Sequence, residues 1–293
     1  MNNLQSRYLL IVAIFGLVGC SSPNPVWISE RERAASFAAY SANTIDGQPI
    51  DLFLKQRTAI LFSGFSGINA AAVGAQTLAI KFKQEPNRAF EGGHAIAIEA
   101  DGYFLTAAHC VNHSAINYLV YSDGQTAKIA IPRIVAKERD VAIIHVDANL
   151  PKVFVWADQN EMMAENPVIA VGNSEITFPF RNTGFLDQIC LAGKIKSVSD
   201  STDGMKMIYS DLPGRDGDSG GPVVEQDGKL LGVHSGGITD RMEITTDVAI
   251  YPDPSWVARV IAQDRLSSLH EPQKALPIID KNKDARGIIV KLY

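Results

Sequence analysis

The segment Gly217-Asp218-Ser219-Gly220-Gly221-Pro222 constrains this chain more than any other, because glycines on both sides leave the serine hydroxyl and its neighbouring backbone amides unobstructed. A serine presented in this way suits attack on a carbonyl, provided that a general base stands within hydrogen-bond reach and a third group orients that base. Both are found upstream, in Thr106-Ala107-Ala108-His109-Cys110 and in Arg139-Asp140-Val141-Ala142-Ile143-Ile144. The chain order is therefore His109, Asp140, Ser219. It argues against a strand-to-helix nucleophile elbow, in which acid and histidine follow the serine. The stretch after Ser219 reads Pro222-Val223-Val224-Glu225-Gln226-Asp227-Gly228, a short strand running into a turn rather than a helix.

These three motifs resemble those of the chymotrypsin-like, or trypsin-like, serine proteases, and the similarity runs from Gln76 to Ala262. The pattern from Gly93-His94-Ala95-Ile96 through Asp101-Gly102-Tyr103-Phe104-Leu105-Thr106 to His109 is similar to compact bacterial members such as the periplasmic high-temperature-requirement proteases. The resemblance implies an all-β fold of two six-stranded antiparallel barrels with the triad in the cleft between them. It also implies a closing helix, and Trp256, Val257, Val260, Ile261 and Leu266 recur at helical spacing between Pro254 and Leu269. The short tail after Ala262 leaves no room for the peptide-binding domain that those relatives append.

Serine endopeptidase chemistry assigns the roles. His109 takes the proton from Ser219 and returns it to the leaving amine, while Asp140 holds the imidazole tautomer and stabilises the imidazolium. The resemblance makes the amides of Gly217 and Ser219 the oxyanion hole. It places Pro213 at the base of the primary specificity pocket, where an Asp would select Lys or Arg. Leu230 to Gly237 forms the wall of that pocket, with Gly237 in it, and Ser235 supports Asp140. His234 resembles the pocket histidine of glutamyl endopeptidases, which contacts an acidic or amide side chain; a satisfied strand histidine is an equal reading. Arg215 carries charge near the pocket mouth or lies in solvent. No cofactor is expected, and the substrates are proteins or peptides. The rival expectation is a catalytically silent domain of this fold that binds a protein partner.

Trypsin-like zymogens pair the acid before the nucleophile, here Asp218, with a newly exposed amino terminus. No Ile-Val-Gly-Gly sequence exists to supply one. A buried unpaired carboxylate is costly, so an internal cation is expected at Asp218, with Arg181 and Lys194 as candidates; the alternative is a pocket that rests disordered until a substrate or partner orders it.

The amino terminus indicates the compartment. Arg7 precedes an apolar run from Tyr8 to Val18 that is too short to span a bilayer, which needs about 20 residues. Leu17-Val18-Gly19-Cys20 matches the bacterial lipobox, so residues 1–19 read as a lipoprotein signal peptide and Cys20 as the lipidated residue. Several acyl chains anchor a protein firmly where one would not. Ser21 after Cys20 resembles the signal for sorting to the outer membrane, facing the periplasm. The net charge of −5 and the absence of a Lys/Arg cluster argue against nucleic acid as a partner.

The remaining organisation is read from punctuation. Residues 20–71 form a tether and leader, with a helix from Trp27 to Tyr40 and a strand or buried loop from Ile60 to Phe65. The protease domain spans 72–270, its first barrel running from Gln76 to near Asp147 and its second from Val168 to Tyr251. Asp123-Gly124, Asp203-Gly204 and Asp227-Gly228 mark turns. A tail follows at 271–293, in which Gly287 to Tyr293 adds an edge strand. Cys110 and Cys190 are the two cysteines left to pair, and His109, Cys110 and His113 find no completing zinc ligand.

Overall fold

The computed structural model describes residues 30–65, 91–112, 116–121, 127–173, 188–200, 205–215, 217–240, 243–268, 277–279 and 290–292. The signal peptide with Cys20, the stretch from Gln76 to Lys83, Arg181, His113 and the turns at 123–124 and 203–204 lie outside those residues. Within them, helix α1 (Glu30–Ser36) leads through a short 3₁₀ turn to β1 (Thr44–Ile45) and β2 (Gln48–Pro49). Helix α2 (Ile50–Lys55) then enters β3 (Thr58–Phe65). Strands β4 (Glu91–Glu99), β5 (Tyr103–Thr106), β6 (Ile116–Val120), β7 (Ala127–Ala136) and β8 (Val141–His145) follow. After a loop come β9 (Pro167–Asn173), β10 (Gln188–Asp200), β11 (Lys206–Ser210), β12 (Pro222–Val224), β13 (Leu230–Asp240) and β14 (Glu243–Tyr251). Helix α3 (Pro254–Ser268) closes the domain, and β15 (Pro277–Ile279) pairs with β16 (Val290–Leu292).

Strands β3-β4-β5-β8-β7-β6 close one barrel and β10-β11-β14-β13-β12-β9 close a second, six strands each and antiparallel throughout. This is the expected two-barrel, all-β fold with its closing helix. Closure leaves neither sheet a free edge to pair with another chain.

The apolar runs explain why these strands stay in register. In β9, Ile169 and Val171 join one buried cluster while Val168 and Ala170 join another, so alternate side chains are buried on opposite faces. The same holds in β8, where Val141 to Ile144 are all fully buried. Each such Ile, Leu or Val adds about 1.5–3 kcal/mol through burial.

Two expectations about organisation need correction. The first barrel begins at Thr58, because β3 pairs with both β4 and β6 and completes the closure; the strand at 60–65 belongs to the protease domain and not to the leader. Whether the leader covers the barrels, tethers them or occludes the cleft is open from the sequence; its described residues pack against the barrels. Phe37, Ile50, Phe53 and Leu54 are buried in the main core. Gly228 sits at φ +82° in the Asp227–Gly228 turn, and an added Cβ there would lie 2.7 Å from both Ile45 and Phe53. The leader thus clasps the second barrel at that turn before β3 enters the first. Helix α1 ends at Ser36, short of the expected Tyr40, because the chain tightens there into a 3₁₀ turn.

Candidate active site

Each barrel supplies part of the site. In the first barrel, β5 ends in a 3₁₀ turn, Ala108–Cys110, whose middle residue is His109. Another 3₁₀ turn, Lys137–Arg139, precedes Asp140, which adopts the left-handed conformation with φ 48° and ψ 40°. That region is sparsely used by residues other than Gly, Asn and Asp, and here it aims the carboxylate back at His109. Both Asp140 oxygens lie 2.9 Å from His109 Nδ1, and the His109 backbone amide donates to Oδ1 at 3.0 Å. The Arg139 guanidinium lies over the Trp256 ring of α3 at 5.3 Å, so the closing helix backs the turn that carries the acid.

The second barrel brings Ser219 on the loop between β11 and β12. The Ser235 hydroxyl of β13 donates to Asp140 at 2.5 Å, and the Ser219 hydroxyl donates to the Ser235 carbonyl at 3.3 Å. Ser235 thus contacts both Asp140, through its hydroxyl, and Ser219, through its backbone carbonyl. In this rotamer Ser219 is not bonded to His109; such contacts often tighten only once substrate is bound.

The serine loop is pinned from both sides. His94 N donates to the Ser219 carbonyl at 2.8 Å, Gly220 N to the His234 carbonyl at 2.7 Å, and His234 N to the Gly221 carbonyl at 2.8 Å. Gly217 has φ +93°, and its carbonyl accepts from Asn173 Nδ2 at 2.9 Å. Among the described residues, the Gly217 and Ser219 amides have no backbone acceptor.

Electrostatics favour an imidazolium at His109. Burial is the largest single influence and works against the charge, but the hydrogen bonds and charges of Asp140 and Cys110 together exceed it and hold the pKa well above the ordinary histidine range. Half of the His109 side chain is open to water, which softens the pairing.

The pocket residues are placed less simply. The Pro213 carbonyl faces inward and accepts from Arg33 Nε at 2.9 Å. His234 is buried, with Nε2 2.6 Å from Oδ1 of the equally buried Asp247, and Gly214 lies so close over the pair that an added Cβ would sit 2.8 Å from the imidazole. Burial pulls His234 down but the Asp247 charge raises it again, while burial raises Asp247. Gly237 is exposed, opposite Asp247 in the β13–β14 register. Asp247 was missed from the sequence, where it is one polar residue in a strand; the signal that could have found it is the need of a buried His234 for a partner.

The other cationic and sulfur groups also need correction. Lys194 is on the surface beside Glu165 at 3.3 Å and does not reach Asp218. The cation at Asp218 is Arg33 of α1, and both side chains are fully buried. Arg215 is buried rather than at a pocket mouth, and its Nη2 donates to the Asn173 carbonyl at 2.8 Å. Cys110 and Cys190 are not joined by a disulfide. Burial pushes the Cys190 thiol up to about 12.

Two closed barrels that place histidine, aspartate and serine in this order define the chymotrypsin-like fold. Residues 93–233 match the family model of the trypsin-like peptidase domain. Serine protease HTRA4 of Homo sapiens is 29% identical over 50% of this chain and 31% of its own length. The DegP-like periplasmic serine endoprotease of Halomonas elongata is 29% identical over 49% of this chain and 29% of its own. The matched region thus spans about a third of these curated relatives. A solved protease of M. tuberculosis in its active form shares the fold with a TM-score of 0.55 and 17% identity, covering 83% of this chain and 91% of that one. Together these support a chymotrypsin- or trypsin-like serine protease.

Proposed function

We infer that the chain is a serine endopeptidase of the bacterial envelope that cleaves protein or peptide substrates through Ser219, His109 and Asp140. The observation that supports this reading is His109 held by both Asp140 oxygens, with Ser235 giving its hydroxyl to Asp140 and its backbone carbonyl to the Ser219 hydroxyl. A nucleophile needs just such an oriented base. The amides of Gly217 and Ser219 then receive the negative charge of the tetrahedral intermediate, and removing one such donor typically costs about 100- to 1000-fold in turnover. The Ser219 bond to Ser235 also suits the rival, a silent domain that binds proteins. A fluorophosphonate probe separates the two: covalent labelling of wild-type Ser219 supports catalysis, and a folded protein that stays unlabelled supports the rival.

In this reading the pocket is formed by Pro213 at its base with His234, Ser235 and Gly237 in its wall, and prefers Glu or Gln before the scissile bond, with Asp247 sustaining the basicity of the His234 ring. A peptide library varied at that position should show Glu or Gln leading, with the preference weakened in His234→Ala. Preference for Lys or Arg refutes it and would make Asp247 the charge that selects.

The same reading anchors the enzyme by lipid on Cys20, at the outer membrane facing the periplasm. Cells fed radiolabelled palmitate should incorporate label into the wild-type protein and not into Cys20→Ser. An unlabelled wild-type protein overturns the anchor.

A further inference from the structure

We propose that Arg33 is a positioning residue for catalysis and that helix α1 is a built-in activator, which holds the serine loop in its oxyanion-binding form. The inference rests on the proteolytic reading above and extends it to how the site is kept competent.

The fully buried Arg33 guanidinium makes three bonds, and each goes to a part of the serine loop or the strand beside it. Nε donates to the Pro213 carbonyl at 2.9 Å, Nη1 to the Asn173 carbonyl at 2.7 Å, and Nη2 to Asp218 Oδ2. Asp218 in turn accepts from the backbone amides of Asn173, at 2.8 Å, and of Arg215, at 3.0 Å. The Asn173 side chain then holds the Gly217 carbonyl. One planar cation therefore grips the start of the loop at Pro213, its end at Asp218, and the end of β9 from which Gly217 is oriented. A point charge on a flexible stem could satisfy the carboxylate but not all three acceptors.

The surroundings are shaped to this pair. At Gly172 an added Cβ would lie 2.5 Å from Asp218 Oδ1 and 2.9 Å from Arg33 Nη2, so only glycine lets β9 pass so close. The helix itself is fastened: the Ser36 hydroxyl accepts from the Ala192 amide of β10 at 3.0 Å, and Phe37 enters the core. Asp218 adjoins the nucleophile and its carboxylate is fully buried, so losing Arg33 leaves a buried charge that the loop must rearrange to relieve. The two amides awaiting an oxyanion move with it. Activation runs in the reverse sense to a zymogen cut. Here the amino-terminal segment must stay docked, and a cleavage that frees α1 switches the enzyme off.

The test uses the full chain with Arg33→Met and Arg33→Lys, read by steady-state kinetics on a peptide substrate and by amide hydrogen exchange. In Arg33→Met kcat is expected to fall about 100- to 1000-fold, the range for loss of an oxyanion donor, with a much smaller change in KM. Amides of 213–219 should exchange faster while strands of both barrels keep their protection. Arg33→Lys should recover part of kcat. A folded Arg33→Met with wild-type kcat and wild-type exchange at 213–219 overturns the proposal. If Arg33→Met fails to fold, Arg33→Lys decides: unchanged kcat and exchange overturn it, and a roughly tenfold fall with faster loop exchange supports it. A wild-type protein that neither cleaves nor takes up fluorophosphonate sinks the protease reading instead; the exchange measurement still reports whether Arg33 orders the loop.

Discussion

Ser219→Ala and His109→Ala are each expected to lower turnover by roughly 10⁴- to 10⁶-fold while leaving the fold intact. The loss is large because the two groups act as a unit, and removing either leaves only transition-state binding by the loop amides. The fold should survive because neither side chain carries packing: His109 is half open to water, and Ser219 is held by its backbone carbonyl through His94 N. Asp140→Asn should cost about 10⁴-fold and also change the pH profile. Asp140 holds the His109 pKa above the ordinary range, and catalysis needs the neutral ring. The acid limb of kcat/KM should therefore lie on the alkaline side of an ordinary histidine and move toward it when the carboxylate becomes an amide. Measured rates with matched thermal melts check both points. A folded Ser219→Ala that still cleaves at a comparable rate excludes Ser219 as nucleophile.

The parts of this site legible in the sequence are those whose signal is local. A glycine-flanked serine, a histidine after an apolar strand and an aspartate before one each carry their chemistry within a few residues, and the second barrel, the Asp227–Gly228 turn and the closing helix announce themselves by strand alternation, turn residues and helical spacing. Arg33 carries no such signal. It reaches Asp218 across 185 positions, from a short helix whose Glu30, Arg31 and Glu32 make it read as a solvated leader. Strand β3 was read as a strand or buried loop, but only its pairing with both β4 and β6 shows that it closes the barrel. Pairings of this kind, like that of His234 with Asp247, are properties of the closed fold. They follow from the rule that buried charges need partners, which says that a partner exists without saying where.

His94 turns that rule into a measurable pH dependence. Its side chain is fully buried against the serine loop, beside the backbone carbonyls of Gly217 and Asp218. Burial drives its pKa down from 6.5 to about 4, more than the Asp218 charge and the nearby backbone carbonyls recover. The folded value lies below the unfolded one. Between them the unfolded chain takes up a proton that the folded chain refuses, so stability is full above about pH 6.5 and is lost as pH falls toward 4. For this one group the loss is on the order of 3 kcal/mol. Urea midpoints measured across that window should fall more steeply for wild type than for His94→Gln, which has no proton to bind; parallel curves would remove His94 from the account. Because His94 N holds the Ser219 carbonyl, the acid that charges the ring also loosens the nucleophile, and irreversible loss of activity in mild acid should follow the same slope.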